Sequence, residues 1–256
     1  MPADVLTFRP DLAQVTLVAV TSVALDATLK ALHASARQAR FGSVKLLSDR
    51  KPDGFPEHFK WARIEPLRSR SDYSLFMQHR LTDHIQTSHA LVVQWDGYVL
   101  DGRCWHDGFL DYDYIGAPWP QFDDGHAVGN GGFSLRSKRL LDATRLLPQS
   151  PAEAEDTLIC RTHRALLETR HGIRFASTDI ALKFAYERTQ KCGGEFGFHG
   201  VFNMMTDMPQ REFEAVLASL EPGLLGRRES REVMWHGLRR ARLRTLLLAM
   251  RQRRIG

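Results

Sequence analysis

Three cysteines in 256 residues, Cys104, Cys160 and Cys192, are too few and too scattered for a disulfide framework, and none stands in a CxxC pair. A reducing cytoplasm is the compartment this leads one to expect. No apolar run approaches the roughly 20 residues that cross a bilayer. The opening stretch MPADVLTFRPDL carries acids where a secretion leader needs a basic and then an apolar segment. HExxH, a paired Cys/His zinc set and a GxSxG elbow are all missing, which disfavours zinc hydrolases and serine esterases. The GxGxxG spacing of a dinucleotide site and the GKS or GKT ending of a phosphate loop are missing too.

What the chain has is an ordinary globular balance, 43% apolar and 25% charged, too apolar for a disordered protein. Its 35 Lys+Arg against 30 Asp+Glu give +5, unevenly spread. From Arg227 to Gly256 ten arginines face two glutamates, a balance of +8, and the other 226 residues carry −3. An acidic body whose aromatics do not interleave with basic residues argues against nucleic acid as a partner. With no internal repeat and no low-complexity linker, we expect one continuous domain, residues 1–226, and a basic amphipathic helical tail, residues 227–256. In the tail, Leu243, Leu246, Leu247 and Met250 recur at helical spacing, with Trp235 and Leu238 on a related face. Arg239, Arg240, Arg242, Arg244, Arg251, Arg253 and Arg254 surround them. Such a helix either lies on an anionic membrane or packs its leucines on the body and leaves its arginines in water.

The first half alternates strand and helix signals. VTLVAV (Val15–Val20), VKLLS (Val44–Ser48) and ALVVQ (Ala90–Gln94) are short β-rich apolar runs of the kind buried in a sheet, and WARIEP is a weaker one. Between them, Leu25, Leu29, Leu32 and Ala36 mark a helix with Thr21 and Ser22 as caps. Tyr73, Phe76, Met77 and Leu81 mark a second, capped by Ser71 or Asp72. This order predicts an α/β fold, a mixed and mainly parallel sheet flanked by helices, with a ligand crevice at the carboxyl ends of its strands. Further on, DYDYIGAPWP reads as a strand entering a rigid loop, FSLRS as a strand and SKRLLDATRLL as a helix. EDTLICRTHRALLETR reads as one helix and GIRFAS as a strand.

Four places could carry chemistry. Asp96 follows a buried strand and precedes Gly97; it is either half of a common Asp-Gly turn or a carboxylate for a hard divalent cation. Gly131 and Gly132 in VGNGGFSLRS expose backbone N–H groups, or simply make a long loop. Glu155 and Asp156 suit the dipole of the helix they open, or supply a general base. His199 in FGFHG is a hydrogen-bonded structural residue or a metal ligand.

Taken in order, HALVVQWDGYVL, DYDYIGAPWP, VGNGGFSLRS, the Glu155-Asp156 pair and FGFHG resemble a family of mostly bacterial glycosyltransferase-like domains, over about Val15 to Asn203. That family is similar to the GT-A-fold (Rossmann-like) enzymes, which use nucleotide-diphosphate sugar donors. The resemblance implies a hexosyltransferase acting on a glycan or lipid-linked acceptor hydroxyl. With the cysteine usage and the membrane reading of the basic tail, the expected location is the cytoplasm, peripheral on the inner face of the membrane. It places Thr21, Ser22 and Arg80 near the nucleotide, with Gln94, Asp96, Gly131, Gly132 and Phe133 about the donor. It makes Asp96 and His199 ligands of Mn²⁺ or Mg²⁺, Trp119 an acceptor contact, and Asp156, with Glu155 beside it, the base of an inverting transfer. The chain departs from the pattern at Gln94, where the DxD element has its first acid. Two other readings stand beside transfer: a nucleotide-sugar binding module without turnover, and a metal-dependent phosphoesterase.

Overall fold

A computed structural model describes residues 9–253 except 149 and 151. Arg254, and the first eight residues read for a leader, lie outside the described residues.

β1 (Asp11–Val20) buries all six residues from Val15 to Val20, so it needs strand neighbours on both sides and cover on both faces. It runs parallel to β2 (Arg40–Ser48) on one side and to β4 (His89–Val92) on the other. β3 (Lys60–Arg63) extends the parallel set beyond β2. Past β4 the sheet turns mixed: β6 (Ser134–Ser137) is antiparallel to β4 and to β5 (Tyr114–Gly116), giving the order β3-β2-β1-β4-β6-β5. Helix α1 (Leu25–Gln38) packs on β1 and β2, and α2 (Arg70–His79) leads toward β4. The fold class is therefore the one the alternation predicted.

Local expectations needed correction. Thr21 and Ser22 do not cap α1. The cap position is Ala24, in the left-handed region at φ 48° and without a side-chain bond, while Thr21 Oγ1 accepts the Val23 N–H and Ser22 Oγ the Leu67 N–H. The cap of α2 is Ser69, whose hydroxyl accepts the Asp72 N–H at 3.1 Å, and Leu81 belongs to a separate 3₁₀ turn, Leu81–His84. After α3 (Lys138–Thr144), the long helix expected from Glu155 is broken. A single turn, α4 (Glu155–Thr157), runs into a π-helical turn, Leu158–Thr162, before α5 (Arg164–His171). GIRFAS is not a strand. β5 offers three residues of edge, enough for one bridge between Tyr114 and Phe175, and α6 (Thr178–Phe184) starts directly after.

The last part is helical around a second apolar cluster. A small parallel pair, β7 (Ala185–Tyr186) and β8 (Gly197–Phe198), leads into α7 (Val201–Asp207) and α8 (Gln210–Ser219). The basic segment forms two helices, α9 (Arg227–Arg239) and α10 (Leu243–Arg253), packed on each other and on α7 and α8. Val233 and Ala249 are fully buried among Val201, Met204, Phe213 and Leu217. Among the described residues no helix is long and apolar enough to cross a membrane.

Candidate functional site

The carboxyl ends of β1 and β4 open on a cleft of about 500 Å³, within the range of small-ligand sites. The end of β1 contributes Thr21 and Ser22, and the start of α2 contributes Arg68, Ser69, Arg70 and Tyr73. The turn after β4 brings Gln94, Trp95 and Asp96, the start of α4 brings Ala154 and Glu155, and the loop after β8 brings His199. Residues far apart in the chain thus meet where an α/β sheet holds ligands.

Asp96 sits in the tight turn closed by Gln94 N–H to Gly97 C=O and Gly97 N–H to Gln94 C=O, both 3.1 Å. The turn aims its carboxylate at His199, whose Nε2 lies 3.5 Å from Asp96 Oδ1 and 3.2 Å from Gln94 Oε1. The turn and the ligand readings of Asp96 are thus compatible. On the other side of the ring, Nδ1 is 3.2 Å from Glu187 Oε1 and 3.3 Å from Asn130 Nδ2. Burial works against a charge on this imidazole, but the Asp96 and Glu187 carboxylates outweigh it and hold its pKa well above 6.5. Two glycines hem the ring. A Cβ on Gly132 would stand 2.0 Å from Nε2, and one on Gly97 2.7 Å from Cδ2.

Glu155 reaches the cleft from a buried position, 5% exposed. Arg136 on β6, fully buried, donates from Nη2 to Glu155 Oε1 at 2.9 Å and from Nε to Ser134 Oγ; its Nη1 has no partner among the described residues. Burial pushes the Glu155 carboxyl above the ordinary glutamate value, Asp156 adds to this, and Arg136 pulls it back. Position 131 has room for glycine alone, because a Cβ on Gly131 would lie 2.3 Å from Glu155 Oε1. Asp156 points elsewhere: Oδ2 accepts the Gly131 N–H at 2.9 Å and Oδ1 the Thr157 N–H at 2.7 Å.

Of the residues singled out in the sequence, Thr21, Ser22, Gln94, Asp96, Glu155 and His199 line the cleft, with Gly131 and Gly132 behind them. Phe133 is fully buried in the main core against Phe184 and Phe196. Trp119 packs its ring over Gly129 and Phe122, away from the cleft lining. Arg80 ends α2 and pairs with Asp83. The motifs did not point to Arg68, Arg70, Tyr73, Asn130, Arg136 or Glu187. Neither Arg68 nor Arg70 forms an ion pair with a described residue, and the signal that marks them is RSRSDY, two arginines at a capped helix start. Arg136 stands within VGNGGFSLRS, in the part that reads as a strand, and Glu187 carries no signal at all; only the tertiary fold brings them to Glu155 and His199.

Asp96 Oδ1, His199 Nε2 and Gln94 Oε1 converge as the residues that would hold a divalent cation, with Glu187 behind the far ring nitrogen. It is a lean set, since no cluster of three His, Cys, Asp or Glu side chains able to hold a metal occurs among the described residues. A proton and a cation would compete for Nε2.

No curated protein matches the chain in sequence. Among solved structures it is similar to galactosyltransferase LgtC in complex with donor and acceptor sugar analogues, at 12% identity and TM-score 0.45 over 85% of this chain and 99% of that one. An active-site mutant of LgtC gives 11% identity and TM-score 0.46 over the same shares. The family described as "Protein of unknown function (DUF5672)" matches residues 58–199, a stretch that begins at His58, ends at His199, and holds Gln94, Asp96, Arg136 and Glu155 between them. The chain belongs to that family.

Proposed function

We propose that the chain is a GT-A-like glycosyltransferase that moves a sugar from a nucleotide-diphosphate sugar to a hydroxyl of a glycan or lipid-linked acceptor, with inversion. One observation carries this reading: two arginines free of ion pairs with described residues, an Asp–His pair and a buried glutamate with a raised pKa share one cleft at the strand ends. Arg68 and Arg70, at the N-terminal end of α2, suit the donor diphosphate, and Thr21 and Ser22 suit the nucleoside. Gly131 and Gly132 leave room for Glu155 and His199 to stand over the backbone and face the donor sugar. Bound Mn²⁺ or Mg²⁺ would neutralise charge on the departing diphosphate. The arginines act on that same charge directly as the bond from the anomeric carbon to the phosphate oxygen breaks. Glu155 takes the proton from the acceptor hydroxyl as its oxygen bonds to the anomeric carbon, and nucleoside diphosphate leaves. Asp156, whose oxygens bond backbone amides, steadies Gly131 for this role.

The test is transfer and hydrolysis with a panel of nucleotide sugars, with and without Mn²⁺ or Mg²⁺. Turnover should fall at least about 100-fold in Glu155→Gln while donor affinity stays. No binding of any donor would end the reading. Donor binding without turnover in the parent chain would support the binding-module alternative, which Gln94 in place of an acid favours.

A further inference from the structure

Seven large apolar side chains are exposed among the described residues, and five of them sit on the α9–α10 hairpin: Trp235, Leu238, Leu243, Leu247 and Met250, between 45% and 69% exposed. The arrangement inverts what a packed amphipathic helix does. α10 buries Thr245, Ala249 and Gln252 and turns Leu243, Leu247 and Met250 outward, at spacings of four and three. The inward polar groups are paired in part, Gln252 Nε2 and Ser230 Oγ having no partner among the described residues. Thr245 Oγ1 donates to Glu214 Oε1 at 2.8 Å, and Gln252 Oε1 accepts the Leu224 N–H at 3.1 Å. α9 does the same with Ser230, Val233 and Gly237 inward and Arg231, Trp235 and Leu238 outward. Leu246 meets Gly237, where a Cβ would stand 3.0 Å from its Cγ, so the two helices are in close contact and, among the described residues, nothing covers the outward faces.

Charge selects the occupant. The hairpin's two acids are already engaged: Glu229 accepts the Gly226 N–H at 2.7 Å, and Glu232 accepts from Arg188 and Arg228. Arg231, Arg239, Arg240 and Arg251 have no carboxylate partner among the described residues. A second copy of this chain would bring +8 against +8, which repels. A polyanion without an apolar layer would leave the tryptophan and leucines in water. An anionic lipid surface satisfies both sets of groups, the apolar side chains among the acyl chains and the guanidinium groups among the phosphates.

We propose that the outward face of α9 and α10 docks on an anionic lipid bilayer. Leu224 and Glu229, at the root of α9, line the cleft, so a bilayer under the hairpin lies beside the cleft. The docking stands on these surface residues and not on the cleft's chemistry, so it survives or fails apart from the transfer reading.

The experiment is co-sedimentation of the full chain with vesicles of phosphatidylcholine and phosphatidylglycerol (about 3:1), and with phosphatidylcholine alone, at low salt. The full chain should bind the anionic vesicles at least about tenfold more tightly. Leu243→Ser with Leu247→Ser, and separately Arg231→Gln with Arg240→Gln, should each weaken that binding about tenfold or more. All four side chains are exposed, so circular dichroism and melting should not change. The proposal falls if neither vesicle is bound, or if the leucine pair has no effect while the arginine pair does. It falls equally if the chain is a dimer that Leu247→Ser dissociates.

Discussion

At the scale of single residues, the Arg136–Glu155 pair is where stability and chemistry meet. Both side chains are buried, so neither charge can be left alone: removing one partner of such a pair typically destabilises by about 3–5 kcal/mol. Arg136→Met should therefore lower the melting temperature sharply, and Arg136→Met with Glu155→Gln should recover much of the loss. The same arginine also sets proton affinity. Glu155 accepts a proton only when ionised, and its pKa is raised, so the acid limb of kcat/KM should lie above that of an ordinary exposed glutamate. Without Arg136 the stabilisation of the carboxylate goes, and that limb should move to still higher pH. A limb at the ordinary glutamate value in both proteins would remove Glu155 from the mechanism.

At the scale of elements, the cleft depends on short connections more than on the sheet beneath them. The strands were legible because β1 and β4 end in apolar runs, Val15–Val20 (interrupted only by Thr16) and Ala90–Val92, and their ends located Thr21, Ser22, Gln94 and Asp96. The π-turn after Glu155 was not legible, because Leu158–Thr162 keeps helical apolar spacing while its hydrogen bonding widens. Nor was the cap of α2, since RSRSD offers three plausible cap residues and only the fold selects Ser69. Glycines were legible as loop but not as walls. Gly132 and Gly97 flank the His199 ring, and a methyl group on Gly132 would occupy the space of Nε2. Gly132→Ala should push the ring off Asp96, costing about 1–3 kcal/mol of stability but roughly two orders of magnitude in transfer. Donor binding with unaltered turnover in this variant would show that the Asp96–His199 alignment is not needed.

At the scale of the molecule, the charge division seen in the sequence falls where α9 packs on α7 and α10 on α8. An acidic body and a +8 tail suggest two parts, yet α9 and α10 carry Val233 and Ala249 into the same apolar cluster as Val201, Met204, Phe213 and Leu217. The tail also supplies Thr245 to Glu214 and Gln252 to the Leu224 and Leu225 amides, and Glu229 to the wall of the cleft. Periodicity could not foresee this, because the buried side of α10 is Thr, Ala and Gln, the residues a hydrophobic-stripe search passes over. Cutting the chain after Gly226 would expose that cluster and leave the Glu214 carboxylate, 5% exposed in the intact chain, without its threonine donor. Chain 1–226 should therefore melt at a clearly lower temperature than the full chain, or aggregate, rather than fold as an independent unit with its tail removed. Calorimetry of both chains decides it. Equal melting temperatures would mean that α9 and α10 are an appendage. A single transition at higher temperature in the full chain would mean that the hairpin is part of the body's cooperative core.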